Sequence, residues 1–137
     1  MKLLYTITLI ILLTSCSEVP KTKEDNKIWS VFQTKIIEKD FQYLIKNSLD
    51  SIKCVNCINS NNDEYYPSIL IFTNYLDKLY NKEFLTDRCY SAFQDSNRIR
   101  ISYSDDKKLI GEEISTTIYL FDKHNGNYVF TGMITTP

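Results

Sequence analysis

A two-residue turn signal near the end of the chain constrains the fold more than any other feature. Asn125 and Gly126 stand between two stretches in which apolar and polar residues alternate. A tight type I′ hairpin turn needs positive φ at both central residues, and Asn followed by Gly adopts this conformation readily. The sequence therefore predicts an antiparallel hairpin, with a long strand over 112–122 and a final strand over 128–135.

The register of this hairpin predicts what each sheet face carries. A two-residue turn places Phe121 opposite Phe130 and Ile118 opposite Met133. One face is then aromatic and holds Tyr119, Phe121, Tyr128, Phe130 and Ile134, and the other is aliphatic and holds Ile114, Ile118, Leu120, Val129 and Met133. Because one layer of helices covers only one face, we expect the other to meet a ligand or a partner, or to be hidden by sheet curvature.

Helical spacing of apolar residues dominates the first half of the chain. Trp29, Phe32 and Ile36 recur along one face and predict a helix over 27–38. Asp40 is a candidate cap for a second, shorter helix that continues this segment. A third helix over 67–81 begins at Pro67, a residue suited to a first helical turn. Its expected buried stripe is Ile69, Phe72, Leu76, Leu79 and Tyr80.

Between and after these helices, the segments with a regular hydrophobic period are shorter. A weak strand is expected within 51–58, a polar turn over 59–63 and a short helical segment over 82–92. From Arg98 the period is two, which predicts a strand, and a turn follows at 105–108. The predicted fold class is α+β: two or three N-terminal helices packed on a curved antiparallel sheet closed by a C-terminal β-hairpin, in a single domain over 27–137.

The first sixteen residues have the layout of a secretory signal. A single charge at Lys2 precedes an apolar run over 3–13. This run is roughly half of the 20 residues that a membrane-spanning helix needs. The following tetrad, Leu13-Thr14-Ser15-Cys16, resembles the lipobox of bacterial lipoproteins. The resemblance implies cleavage after residue 15, lipid attachment including palmitate at Cys16, and a flexible tether over 16–26.

The same resemblance implies that the protein is located in the cell envelope. Ser17 stands where the enterobacterial sorting rule would require aspartate for inner-membrane retention. The outer membrane is therefore expected, with the domain facing either the periplasm or the exterior. Two attached acyl chains would hold such a domain durably on a bilayer.

The order of predicted elements resembles the nuclear transport factor-like and cystatin-like superfamilies, in which a bent sheet wraps a long helix. The chain is also similar to small lipoproteins of unassigned function from Gram-negative bacteria. The matching residues are Trp29, Phe32, Cys54, Cys57 and the Asn125-Gly126 pair. Such folds host enzymes, ligand binders and interaction domains, so the resemblance implies a fold rather than an activity.

Three cysteines remain if Cys16 carries lipid, and an odd number in an oxidising compartment predicts one disulfide and one free thiol. Cys54 and Cys57 can close a small ring, or either can pair with Cys89. Zinc held by these three cysteines and His124 is an alternative with suitable ligand types, and a redox Cys-x-x-Cys site is another. We expect a structural disulfide and no metal.

Composition and motifs favour binding over catalysis. The net charge is −1, so the chain lacks the excess of positive charge that is typical of nucleic-acid-binding proteins. The chain has one histidine, no Gly-rich phosphate loop and no nucleophile elbow, so we expect neither an enzyme nor a cofactor. Adjacent acidic pairs at 63–64, 105–106 and 112–113 lie in or beside turns, where solvated charge is the ordinary interpretation.

Two functional hypotheses follow. In the first, Tyr119, Phe121, Tyr128 and Phe130 form a pocket for a small amphipathic ligand or an envelope component. In the second, the chain is a protein-interaction lipoprotein, an immunity or assembly factor. Its partner would meet Tyr65, Tyr66 and the acidic loop around Asp63.

Overall fold

A computed structural model describes residues 23–58, 64–80, 90–104 and 116–136, and these residues form four helices and six strands. The helices are α1 (Lys23–Glu38), α2 (Phe41–Lys46), α3 (Ser68–Asn74) and α4 (Leu76–Leu79). The strands are β1 (Ser48–Cys54), β2 (Tyr65–Pro67), β3 (Ser91–Gln94), β4 (Arg98–Ser104), β5 (Thr116–His124) and β6 (Asn127–Thr136). The predicted α+β class is confirmed.

The six strands form one curved, open sheet in the order β2-β1-β6-β5-β4-β3. Every neighbouring pair is antiparallel except β1 and β6, which run parallel. The prediction of a purely antiparallel sheet was wrong for this pair. Because β1 joins beside β6, the C-terminal hairpin lies in the middle of the sheet rather than closing its edge.

The hairpin turn has the predicted conformation, with φ of 50° at Asn125 and 83° at Gly126. Phe121 faces Phe130 as predicted, but Ile118 faces Ile134 instead of Met133. A β-bulge causes this shift, because the strand register changes between Leu120 and Phe121. Met133 consequently moves to the aromatic face, where it is buried with only 6% of its surface exposed.

The helices differ from the prediction mainly at their ends. α1 begins at Lys23, so residues 23–26 of the predicted tether are helical. The α2 cap is as predicted, because the Tyr43 amide donates to the Asp40 carboxylate at 3.1 Å. The predicted third helix divides into α3 and α4, since the backbone of Tyr75 (φ −130°, ψ 25°) leaves the helical region.

The sequence prediction missed two short strands and misplaced the buried face of one helix. β2 has three residues and ends in proline. β3 begins at Ser91, so the helical prediction over 82–92 is wrong at its described end, and residues 82–89 lie outside the described residues. Ile69, expected in the core, is 57% exposed, whereas Ser68, Ile71 and Phe72 are the buried residues of α3. The predicted turns at 59–63 and 105–108, and the strand start at 112–115, lie outside the described residues.

The core forms where the aromatic side chains of α1 pack on the sheet. The Trp29 ring lies 4.8 Å from the ring of Tyr119, and the Phe32 ring lies 4.6 Å from that of Phe130, measured between centroids. Burying each such side chain stabilises the fold by about 1.5–3 kcal/mol. α1 is therefore fixed to the centre of the sheet by aromatic packing.

Candidate functional site

Three of the four residues predicted to form an aromatic surface lie in the core. Tyr119 and Phe121 are each 2% exposed, and Phe130 is fully buried. Trp29 and Phe32 of α1 pack over them, which corrects the prediction of an accessible aromatic face. Tyr128 is the exception, because it is only partly buried.

Phe121 and Tyr128 nevertheless border a cavity of about 330 Å³ beside the first half of α1, which we call the α1 N-terminal cavity. Its lining residues come from α1, the α2 segment and the β5–β6 hairpin. They are Glu24, Lys27, Ile28, Val31, Phe32, Tyr43, Asn47, Phe121, Gly126, Asn127 and Tyr128. The volume is at the lower end of the range found for small-molecule sites.

The cavity has an apolar side and a polar side. Phe32 and Phe121 are buried side chains whose rings lie 5.1 Å apart in an edge-to-face arrangement. Glu24, Lys27 and Asn127 are exposed and place charged and amide groups around the opening. An amphipathic molecule could thus set its apolar part on the partly exposed side chains of Ile28 and Val31, beside these rings, and keep its polar part among the charged and amide groups.

Hydrogen bonds fix part of the polar side. The Gln94 amide donates to the Glu24 carboxylate at 3.1 Å and to the Tyr128 hydroxyl at 3.1 Å. The Lys123 ammonium lies over the Tyr128 ring, 5.6 Å from its centroid. These contacts link the start of α1 to the hairpin across the cavity wall, so Tyr128 is held in place before any ligand binds.

The sequence prediction missed the α1 contribution to this cavity. Glu24, Ile28 and Val31 recur at helical spacing and mark a second face of α1, distinct from the core face of Trp29 and Phe32. The prediction placed residues 23–26 in a flexible tether and so did not extend this face. The helical spacing of Glu24, Ile28 and Val31, two of which are apolar, was the sequence signal that could have revealed this face.

The aromatic interior holds ordered hydroxyls. Trp29 Nε1 donates to the Tyr103 hydroxyl at 2.9 Å, and the Tyr119 hydroxyl donates to the Leu79 carbonyl at 2.7 Å. Burial raises the pKa of both Tyr103 and Tyr119 well above the usual value. The two phenols therefore remain protonated at neutral pH and serve as fixed structural groups.

The cysteine alternatives are partly resolved. Cys54 and Cys57 form a disulfide, with their Cα atoms 5.5 Å apart, and both residues are buried. Cys89 and Cys16 lie outside the described residues. His124 is exposed at the hairpin, and the described part of the chain contains no group of three potential metal ligands. The disulfide removes two thiolates from the zinc site that the sequence allowed.

The two tyrosines of the predicted protein-interaction surface differ in burial. Tyr65 is 62% exposed, whereas Tyr66 is 8% exposed and belongs to the core. The Lys53 ammonium contacts the Glu64 carboxylate at 2.7 Å beside Tyr65. Asp63 lies outside the described residues. Tyr65 is therefore the part of this surface that a partner could reach.

Comparisons with known proteins identify similar folds only. No family model matches the chain, and no curated protein matches it. It is similar to a protein named as an NTF2 variant with five substitutions (TM-score 0.48, 13% identity, 82% of this chain and 99% of that one). It is also similar to a de novo designed protein with a curved β-sheet (TM-score 0.46, 17% identity, 85% and 100%).

A third similar structure is an NTF-2-like protein of unknown function from Shewanella oneidensis (TM-score 0.44, 11% identity, 85% of this chain and 100% of that one). The chain's own helices and strands define its class: an α+β domain with helices packed on a curved, open, six-stranded sheet. Within the described residues, no helix is long and apolar enough to cross a membrane.

Proposed function

We propose that this protein is a lipid-anchored binding protein of the bacterial envelope that holds a small amphipathic molecule in the α1 N-terminal cavity and catalyses no reaction. The observation that carries the proposal is the two-sided chemistry of that cavity. Partly exposed Ile28 and Val31 supply the apolar side, beside buried Phe32 and Phe121. Glu24, Lys27 and the Tyr128 hydroxyl supply polar groups. Small-molecule sites commonly combine an apolar surface with a few positioned polar groups.

The proposed anchor supports an envelope component as the ligand. Cys16, the lipid site of the proposal, precedes Lys23 by seven residues. A chain of that length spans at most about 25 Å when fully extended. Because Glu24 borders the cavity, a lipid on Cys16 would keep the cavity opening within reach of the outer membrane. A membrane-derived amphiphile could then enter without crossing much of the periplasm.

A charged substitution inside the cavity tests the proposal. Val31→Arg places a long cationic side chain in the cavity from a partly exposed α1 position. Thr34→Arg is the matched control, because Thr34 is exposed on the same helix and does not line the cavity. The full chain is expressed in a Gram-negative host, and its native mass and its solvent-extracted small molecules are measured.

We expect a co-purifying amphiphile in the wild type and in Thr34→Arg, and at least a tenfold smaller amount in Val31→Arg. Equal retention by the two variants would contradict the site. Cys16→Ser tests the anchor separately: the protein should lose its acyl mass and leave the membrane fraction. A Cys16→Ser protein that still retains the amphiphile would support the cavity while showing that the anchor is not required for loading.

The interaction hypothesis has one favourable observation, the exposure of Tyr65 in β2 and of Ile69 in α3, which are 62% and 57% exposed. Exposed tyrosine is enriched at the centres of protein interfaces. A photo-crosslinking residue at position 65, with position 93 as an equally exposed aromatic control, would capture a defined partner in cells. Recovery of monomer alone from both positions would reject this alternative.

A further inference from the structure

A second cavity lies at the opposite end of α1, where the chain turns into α2 and meets α3 and α4. Its volume is about 450 Å³, larger than that of the α1 N-terminal cavity. The walls are mainly apolar, with contributions from Ile36, Phe41, Phe72 and Leu76. We call it the α1 C-terminal cavity. It shares no lining residue with the first cavity, so the two can be tested independently.

Two opposite charges border this cavity without neutralising each other. Lys39 and Asp77 both line it, both are exposed, and neither forms an ion pair with another described residue. Neighbouring charges behave differently, since Lys35 contacts both Glu38 at 2.9 Å and Asp40 at 3.0 Å. One cation and one anion therefore remain available at the rim of an apolar cavity.

The backbone of Lys39 supplies an independent observation. Its φ is 55°, in the left-handed region that glycine adopts most easily and that is typical of a residue just beyond a helix end. A lysine at such a position carries a conformational cost that glycine would avoid. Uncommon backbone conformations of this kind are concentrated at functional sites. A role for the Lys39 side chain at the rim would explain why glycine is not used there.

We propose that the α1 C-terminal cavity binds a small zwitterion with an apolar body, such as a free hydrophobic amino acid. The ligand carboxylate pairs with the Lys39 ammonium, and the ligand ammonium pairs with the Asp77 carboxylate. The apolar body packs on Ile37, Phe41 and Leu76. The observations behind this site are separate from those behind the proposed function, and either site can exist without the other.

Three probes with the same phenylethyl body separate the charges. L-phenylalanine carries both charges, 3-phenylpropanoate carries only the carboxylate, and 2-phenylethylamine carries only the ammonium. Their dissociation constants for the full chain are measured by ligand-observed NMR at low salt. Because ion pairs at an exposed rim contribute modestly, we expect phenylalanine to bind about two- to fivefold more tightly than either analogue. Equal or tighter binding of a singly charged analogue would overturn the proposal.

Variants then assign the charges to residues. Lys39→Gly should weaken phenylalanine binding by about two- to fivefold while leaving the melting temperature unchanged or higher. Asp77→Asn should weaken it by a similar factor. Lys78→Gln and Asp50→Asn are the matched controls, because both residues are exposed and neither lines the cavity. A loss of affinity in the controls equal to that in the rim variants would contradict a specific site.

The apolar part of the site has its own matched pair. Ile37 and Ile69 are exposed helical isoleucines, 43% and 57% exposed, but only Ile37 lines the cavity. Ile37→Ser should reduce the affinity for all three probes together, and Ile69→Ser should leave it unchanged. If Ile37→Ser binds phenylalanine as the wild type does, the cavity is not where the probe sits and the proposal fails.

Discussion

Gly132 is the residue at which β6 approaches β1 too closely for any side chain. Its φ is +151°, and a Cβ built there would lie 2.7 Å from Lys53 Cβ and 2.8 Å from the Lys53 amide nitrogen. Both the backbone conformation and the close approach require glycine. We expect Gly132→Ala to lower the free energy of unfolding by about 3 kcal/mol or more, since backbone strain and overpacking add.

Gly126 provides the control for this prediction. It also has positive φ, +83°, but nothing lies within 4 Å of the position that a Cβ would occupy. Gly126→Ala should therefore cost only the left-handed backbone penalty, about 1 kcal/mol. Urea denaturation of both variants measures the difference. Similar losses for the two substitutions would show that contact with Lys53 is not what requires Gly132.

At the residue scale, the sequence predicts what depends on local chemistry. The Asn125-Gly126 turn and the Asp40 cap are encoded by neighbours within a few residues, and both are present. The need for Gly132 comes from Lys53, far away in sequence, through a parallel pairing that no local pattern reveals.

At the scale of elements, an ion pair joins two neighbouring strands. Arg98 of β4 lies directly opposite Asp122 of β5. The guanidinium donates from Nη2 to the Asp122 carboxylate at 2.8 Å and also from Nε to its other oxygen. Hydrogen bonding to Arg98 lowers the pKa of Asp122 below its usual value. The pair stabilises the end of the β4–β5 ladder at which β4 begins.

This lowered pKa predicts an acid dependence of stability. An aspartate whose pKa is lower in the folded state contributes stability above its unfolded pKa of about 3.9, and that contribution is lost as pH falls through the folded pKa. We expect Asp122→Asn to cost about 1 kcal/mol at pH 7 and progressively less below about pH 4. Urea unfolding from pH 2.5 to 7 provides the measurement.

Asp50→Asn is a suitable comparison for the acid dependence, because Asp50 is an exposed β1 residue. Its substitution should leave the difference from wild type near zero at every pH. A cost of Asp122→Asn that stays constant between pH 2.5 and 7 would mean that the carboxylate charge is not what stabilises the pair.

The elements that the sequence predicts well are those with several repeats of one period. α1, β4 and the β5–β6 hairpin satisfy this condition. β2 and β3 contain three and four residues, too few to show a period against their surroundings. The break at Tyr75 is equally hidden, because the apolar residues continue through it at helical spacing.

At the scale of the whole molecule, the candidate site was predictable in part. The hairpin register correctly placed Phe121 and Phe130 on one face. It could not show that Trp29 and Phe32 would fill the space above them, since that depends on where α1 packs. The core therefore takes most of the aromatic face, and the cavity forms where α1 and the hairpin diverge, beside Tyr128.

The same aromatic interior predicts the alkaline stability of the whole domain. Tyr103 and Tyr119 are buried, and burial raises the pKa of each. Above the unfolded value of about 10, tyrosines in the unfolded chain release protons that these two retain in the folded state. The contribution of these two phenols to the free energy of unfolding is therefore fully present below about pH 10. Above that pH it decreases by about 1.4 kcal/mol per pH unit for each residue.

Replacing both residues with phenylalanine separates this effect from packing. The Tyr103→Phe, Tyr119→Phe double variant should be less stable at pH 7, because Trp29 Nε1 loses its acceptor and the Leu79 carbonyl loses its donor. Its stability should nevertheless fall less steeply between pH 10 and 11.5. Urea unfolding across this range measures the slope, and absorbance at 295 nm follows tyrosine ionisation. Tyr65→Phe, at an exposed position, should keep the wild-type slope. An unchanged slope in the double variant would mean that the two buried phenols do not couple folding to proton release.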